Sequence, residues 1–215
     1  MSDDAIPGCV CVVDDDAGVR GSLGSLFRSS GLDVALYETT EAFVAAGLPP
    51  VASCLVLDIR LRGESGLDFQ ERLAAQGLDI PVILITGHGD IPMTVRGMRA
   101  GAIDFLPKPF GDEQMLAAVA AAIEVDRARR AEAAGSAKLH DCYQRLTPRE
   151  REVMGFVVTG LMNKQVAARM DLSEITVKIH RGNVMRKMEA QSLADLVRMA
   201  ELLGVRDATI HRFNI

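Results

Sequence analysis

The sequence predicts two folded parts in tandem: an α/β domain built on a doubly wound, five-stranded parallel sheet, and behind it a small all-α domain. Two observations carry that prediction. Over residues 1–123 short apolar runs alternate with longer segments of helical period, the pattern of a parallel sheet covered by helices on both faces. From residue 146 onward no strand-like run recurs, and the charge changes sign. Residues 1–123 carry 8 Lys and Arg against 17 Asp and Glu, net −9, whereas residues 146–215 carry 11 against 8, net +3. The stretch between, 124–145, reads as a helical linker continuing the last helix of the first domain, Ala- and charge-rich with Gly135 and Ser136 inside it. An acidic half joined to a basic half suggests different partners, and the basic half is the candidate for nucleic acid.

The strand candidates are 10–13, a weaker 34–36, 55–57, 82–85 and 103–106. The helical segments between and after them are 18–30, 64–76, 91–100 and 112–134. In a parallel sheet of this kind all strand C-termini lie along one edge, where ligands bind. The residues at the end of each strong run are therefore informative. The first run ends in Asp14 and Asp15, the third in Asp58, the fourth in Thr86, and the fifth, DFLPKPF, in Lys108. Each delivers a reactive polar group to the same edge. Adjacent carboxylates such as Asp14, Asp15 and Asp16 repel unless protonated, solvated or joined by a cation. A clustered acid set suits Mg²⁺, a hard cation that takes oxygen ligands and bridges to phosphate oxygens. The chemistry these residue types suit is phosphoryl transfer to a carboxylate, with Asp58 as the acceptor. Thr86 can donate its hydroxyl to one phosphoryl oxygen, and Lys108 can place a positive charge on another.

The chain has 215 residues, 48% of them hydrophobic, enough to fill one large or two small cores. The acidic start Met1-Ser2-Asp3-Asp4 and the lack of a long apolar segment indicate neither a signal peptide nor a membrane span, so a cytoplasmic protein is expected. Cys9, Cys11, Cys54 and Cys142 show no CxxC or Cys/His metal spacing and are expected as buried thiols in a reducing compartment.

Residues 9 to about 125 resemble a response-regulator receiver domain, with its flavodoxin-like fold, in the acidic pair Asp14/Asp15, LVLD ending at Asp58, ITGHGD and DFLPKPF. The resemblance implies that Asp15 and Asp58 ligate the metal directly, that Asp14 acts through water, and that the backbone carbonyl of Arg60 completes the protein ligands. Asp16 matches no fixed role and reads as an exposed helix-start acid. Lys108-Pro109 resembles the family's cis peptide. The resemblance further implies a switch, in which phosphorylated Asp58 draws in Thr86 and Phe105 rotates inward behind it. The run ITGHGDIPMTVRGMRAGAIDF resembles FixJ-type receivers, which implies dimerisation through this face, with Val95 and Arg99 as contacts. One position departs from the pattern: the family's Pro four residues after the phosphorylated Asp is Arg62 here, in RLRGESG. His88 reads as a loop residue, because the resembled mechanism needs no His.

In the second half Thr147-Pro148-Arg149-Glu150 opens a helix with a capping box and Pro in its first turn. Four helices are expected: 150–159, 163–170, one capped by Ser173 and reaching Met188, and one beginning at Ser192. The second and third have the proportions of a helix-turn-helix. On the third, Ile175, Ile179 and Val184 are expected toward the core, and Lys178, Arg181, Arg186 and Lys187 outward, as a duplex requires. The string LTPREREVMGFVVTGLMNKQVAARMDLSEITVKIHRGNVMRKM resembles the LuxR/NarL-type helix-turn-helix from end to end. That resemblance implies a recognition helix over 174–188. Thr176, Lys178, Arg181 and Asn183 would then lie near bases or phosphates, and Lys164 and Lys187 on phosphates. His180 is assigned to packing or a phosphate. The last helix resembles the family's dimerisation helix, with Leu193, Leu196, Val197 and Ala200 as its apolar stripe, and a two-fold dimer would meet two half-sites about one helical turn apart.

The function these resemblances imply is a DNA-binding transcription regulator. A cognate histidine kinase phosphorylates it on Asp58, the phosphorylated form dimerises, and it binds double-stranded promoter DNA with RNA polymerase as a further partner. Such a chain is not an enzyme, and no membrane partner is expected. Two alternatives are weaker. A phosphatase resembling the haloacid dehalogenase class would use Asp14 as nucleophile and Asp16 as acid/base, but it leaves Asp58 and residues 147–203 without a part. A regulator whose receiver is never phosphorylated would leave the acid set, Thr86 and Lys108 idle.

Overall fold

The computed structural model describes residues 8–87 and 91–205. The chain divides into two compact units, 1–131 and 132–215. The first contains β1 (Cys9–Val13), α1 (Ala17–Ser29), β2 (Asp33–Tyr37), α2 (Thr40–Ala46), β3 (Ser53–Asp58), α3 (Gly66–Ala75), β4 (Val82–Thr86), α4 (Ile91–Arg99) and β5 (Asp104–Pro107). Its strands form one parallel sheet in the order β2-β1-β3-β4-β5, the reversal of direction falling at β1 and β3.

Alternation along the strands splits their apolar runs between two cores, because successive side chains point to opposite faces. Cys11, Val13, Leu55, Leu57 and Leu84 pack on one face against Phe43 of α2 and Phe69 of α3. Val10, Val12, Cys54, Val56, Ile83 and Ile85 pack on the other against Phe27 of α1 and Met115 and Val119 of the next helix. Burial on both faces explains why β1, β3 and β4 read as continuous apolar runs of Val, Ile, Leu and Cys. Cys9, Cys11, Cys54 and Cys142 are free thiols, all buried.

Two elements depart from the sequence reading. Helix α2, capped by the Thr39 side chain on the Ala42 N–H, has seven residues, too short to show a helical period. Helix α5 (Asp112–Gln144) runs unbroken for 33 residues, through Gly135 and Ser136. Their neighbours are Ala, Arg, Lys and Glu, and the cost of one Gly, about 1 kcal/mol, is outweighed by good helix formers on both sides. On α5 the buried Asp126 accepts from the Ser53 N–H at 2.8 Å and pairs with Arg129 and Arg130.

The second unit adds α6 (Pro148–Val157), α7 (Asn163–Met170), α8 (Glu174–Lys187) and α9 (Leu193–Leu202). Thr147 and Glu150 form the expected capping box on α6, Ser173 caps α8 and Ser192 caps α9. Asp171, in the left-handed region at φ 54°, closes α7 and turns the chain into α8. The core holds Val153, Met154, Val157, Val166, Val177, Val184, Met188, Leu196 and Ala200.

Two expectations are corrected here. Ile175 and Ile179 do not face the core; they are 73% and 60% exposed. At about 100° per residue, Val177, Val184 and Met188 share one stripe of α8, and positions two residues either side of Val177 fall on the opposite face. On α9, Leu196 and Ala200 are fully buried in the unit's own core. They cannot also form an open dimer stripe; of the expected set Leu193 is exposed and Val197 is partly buried against the core.

Candidate functional site

The C-terminal edge of the sheet brings the expected groups together. Parallel register sets Val13 beside Leu57 and Thr86 beside Pro107, so the residues that come after β1 and end β3 and β4 converge. Lys108, immediately after β5, donates its N–H to the Thr86 carbonyl at 2.7 Å, and Lys108-Pro109 is cis. The Lys108 Nζ lies 2.8 Å from Asp14 Oδ2 and 2.8 Å from Asp58 Oδ2. Asp14 is fully buried and Asp58 nearly so. Asp14 Oδ1 accepts from the Asp16 N–H at 2.8 Å, and Asp58 Oδ1 from the Arg60 N–H at 3.1 Å.

The electrostatics result from that burial. Desolvation pushes Asp14 above the ordinary carboxylate range, against the hydrogen bonds from Lys108 and the Asp16 N–H. Burial also works against the Lys108 charge, but its bonds to Asp14 and Asp58 prevail and hold the ammonium above its ordinary value. Asp16 stands apart. Its carboxylate is exposed and caps α1, accepting from Gly18 N at 2.7 Å and Val19 N at 3.1 Å, bonds that lower its pKa.

Asp14, Asp15 and Asp58 each offer an oxygen, and these oxygens lie within 4.8 Å of one another. Lys108 and Arg62, whose Nε is 2.9 Å from Asp15 Oδ2, supply two positive charges against these three carboxylates. The contacts leave one negative charge over, and the donors are all hard oxygen, a set that fits Mg²⁺. Beside them lies a cleft of about 610 Å³ lined by Asp15, Asp58, Arg60, Arg62, Gly87 and Lys108.

The loop from Asp58 to α3 is tightly held. Arg60 and Ser65 bridge across it, Gly63 takes φ 95° at its turn, and Gly66 sits so close that a Cβ would stand 2.2 Å from the Asp58 carbonyl oxygen. Glu64 accepts from Thr40 Oγ1 at 2.8 Å and pairs with Arg72. Thr86 is fully buried at the end of β4. Phe105, half-buried on β5, packs against the core that contains Leu67 and Leu84. On α4, Val95 and Arg99 are exposed, and Arg96 is clamped by Asp68 and Glu71 of α3. His88 lies outside the described residues.

In the helical unit the expected cations are less alike than their sequence suggests. Lys164 and Lys178 are exposed. Thr176 bonds Ser173 through its N–H and hydroxyl in the first turn of α8. Arg181 is half-buried and donates to Asn163 Oδ1 at 3.1 Å, and Asn183 accepts from Arg186 at 3.3 Å. Lys187 is bound inward, its Nζ 2.7 Å from the buried Glu150 and 3.2 Å from the Arg145 carbonyl. It braces α8 against the start of α6, a correction to its expected outward placement. His180 is half-buried.

Two family models match the chain. Residues 10–120 match the response regulator receiver domain, and residues 144–200 match the bacterial regulatory proteins of the luxR family. The chain belongs to the response regulators. Nodulation protein W of Bradyrhizobium diazoefficiens is 57% identical over 196 residues, 91% of this chain and 86% of that protein. The transcriptional regulatory protein FixJ of Azorhizobium caulinodans is 43% identical over 199 residues, 93% of this chain and 94% of that protein. The solved structure of the response regulator StyR shares 44% identity and a TM-score of 0.84, covering 91% of this chain and 98% of that one.

This response regulator therefore pairs a receiver with a LuxR-type DNA-binding domain and is a transcription regulator. The phosphatase reading loses its acid/base, since Asp16 is spent on the α1 cap. Among the described residues no helix is long and apolar enough to cross a membrane. Sequence reasoning missed the inward tie of Lys187, the outward Ile175 and Ile179, and the Arg62–Asp15 pair. Angular position relative to Val177 signals the isoleucines; the two ion pairs join residues far apart in sequence and carry no local signal.

Proposed function

We propose that Asp58 accepts a phosphoryl group from the phosphohistidine of a cognate kinase, and that this acyl phosphate drives dimerisation and promoter binding. The observation that carries the reading is the single ammonium of Lys108 spanning Asp14 and Asp58 at 2.8 Å each, at the strand edge where Thr86 also ends. An Asp58 carboxylate oxygen attacks phosphorus, the P–N bond to the histidine breaks, and the electron pair leaves on the imidazole, which takes up a proton. Lys108 turns one of its hydrogen bonds to a phosphoryl oxygen, and the Thr86 hydroxyl donates to another. Asp15, Asp58, Asp14 through water and the Arg60 carbonyl would hold Mg²⁺, which supplies neutralisation of the charge on the transferring group.

Drawing Thr86 toward the acyl phosphate opens space that Phe105 enters, altering the α4–β5 face on which Val95 and Arg99 form dimer contacts. In the second domain Thr176, Lys178, Arg181 and Asn183 face bases or phosphates and Lys164 a phosphate. Lys187 sets the pose of α8, and Leu193 and Val197 remain the dimer contacts of α9. The partners are the kinase, double-stranded promoter DNA, RNA polymerase and a second copy of the chain, in the cytoplasm. The test is intact-mass spectrometry after incubation with Mg²⁺ and a small acyl-phosphate donor, with elution volume on the same samples. Wild type gains one phosphoryl group and shifts to dimer, and Asp58→Asn does neither. Folded wild type that gains no mass refutes the reading and favours a regulator with a phosphorylation-independent receiver.

A further inference from the structure

Each carboxylate of the acidic cluster already has a cationic partner, but the partners differ in kind. Lys108, on the strand edge, serves Asp14 and Asp58, and its side chain is 22% exposed. Asp15 is served by Arg62, whose side chain is 84% exposed while that of Asp15 is 21% exposed. Arg62 also sits on a loop whose base is fixed, with Arg60 and Ser65 bridging below it and Gly66 pressed against the Asp58 carbonyl, while its own side chain stands in solvent. A guanidinium carried there reaches over the cleft to Asp15 and needs little rearrangement to return to water.

We propose that Arg62 is an internal competitor for the divalent cation: its guanidinium pairs with Asp15 and must leave that carboxylate before a metal ion can take it. This rests on the reading of Asp14, Asp15 and Asp58 as a metal site. Three charges decide the sign. An incoming dication gains from Asp15 only what remains after the guanidinium is displaced, and the displaced guanidinium, tethered at the cleft rim, still repels it. Removing the charge at position 62 therefore strengthens metal binding. An ion pair this exposed is worth little, so the effect is modest, about two- to five-fold in Kd. It also depends on ionic strength, because both contributions are screened. The pair further ties metal occupancy to the pose of the 60–65 loop at the cleft mouth, where a phosphodonor must enter.

The test is calorimetric titration of MgCl₂ into the full chain, without phosphodonor, for wild type, Arg62→Gln, Arg62→Lys and Asp15→Asn, in low salt and at about 0.5 M NaCl, where the screening length is about 4 Å. Arg62→Gln is expected to bind about two- to five-fold more tightly than wild type in low salt, and Arg62→Lys to stay near wild type. The Gln advantage should shrink toward unity in high salt. Equal or weaker binding by Arg62→Gln in low salt, with Asp15→Asn still defective, overturns the competitor role and leaves the metal site standing. Absence of Mg²⁺ binding in wild type and Arg62→Gln alike overturns both.

Discussion

The receiver and the DNA-binding unit use charge in opposite ways. At the sheet edge Asp14 and Asp58 are buried and share Lys108, so their positions are set by strand register and by one another. On α8 and α7 the cations proposed to meet a duplex, Lys178 and Lys164, stand in solvent, while a buried charge of that unit, Glu150 with Lys187, ties helices together. Burial thus serves chemistry and architecture together in the receiver, where the buried Asp126 also holds α5 to β3, and architecture in the helical unit. A buried polar group must have its partners in place, so in the receiver the partners are part of the site. Phosphates supply the partners of exposed lysines only when DNA arrives.

The largest effect that would break this comparison comes from Gly66→Ala. The added Cβ would meet the Asp58 carbonyl oxygen at 2.2 Å, and backbone there has no room to yield. The receiver is expected to lose about 2–4 kcal/mol in denaturant unfolding, with phosphoryl uptake falling alongside. Unchanged stability would mean that the loop, and Asp58 with it, is free to move aside. Next is Glu150→Ala, which strips the Thr147 N–H of its acceptor and leaves Lys187 with the Arg145 carbonyl but no carboxylate. A loss of about 2 kcal/mol is expected in the second unit, less than for a fully buried pair because Lys187 can turn to water. The same residue gives a pH signature. Burial alone would raise the Glu150 pKa, but Lys187 and the Thr147 N–H outweigh it and hold it below its ordinary value. A depressed carboxyl contributes stability above its unfolded pKa, about 4.3, and loses it as pH falls through the folded value. Unfolding midpoints measured from pH 7 to 3 should therefore fall less steeply at the acid end in Glu150→Gln than in wild type.

Legibility in the sequence obeys the same division. The sheet and its acid edge were readable because strand register carries Asp14, Asp58, Thr86 and Lys108 to one place: each succeeds or ends an apolar run, and parallel pairing does the rest. Helix α7 was readable to the residue from its turn signals. The outward face of α8 was missed because apolar residues lie on both sides of it, although the spacing of Val177, Val184 and Met188 at about 100° per residue sets Ile175 and Ile179 on the opposite face. Leu196 and Ala200 look like a free stripe until the unit's own core is seen to use them. Contacts such as Arg62 with Asp15 and Lys187 with Glu150 depend on how loops and helices are brought together in space, which spacing does not encode.

Smaller effects sharpen the contrast within the second unit. Lys178→Ala is expected to cost about 1–3 kcal/mol in promoter affinity with no change in melting. Lys164→Ala should weaken binding to all sequences evenly and reduce the salt slope by about one. Lys187→Ala should do the reverse of Lys178→Ala, lowering the melting temperature first and affinity only through it. Fluorescence anisotropy across a salt series, paired with thermal unfolding, separates the three. A Lys187→Ala protein of wild-type stability with a reduced salt slope would return that residue to the phosphate contacts.

The smallest effect reverses the sign of the largest with the same chemical change. Gly135 lies in the interior of α5, exposed, with nothing within 4 Å of where its Cβ would stand. Alanine there meets no neighbour, and it removes backbone freedom from the unfolded chain that glycine alone has. Gly135→Ala should therefore stabilise by about 0.5–1 kcal/mol, visible as a small rise in denaturant midpoint at constant slope. The comparison is informative because Gly66→Ala confers the same unfolded-state benefit and is expected to be overwhelmed by one backbone clash. If Gly135→Ala were neutral, α5 would not be helical at that point for the whole of the time, and the uninterrupted helix from Asp112 to Gln144 would have to be redrawn as two with a joint at the glycine.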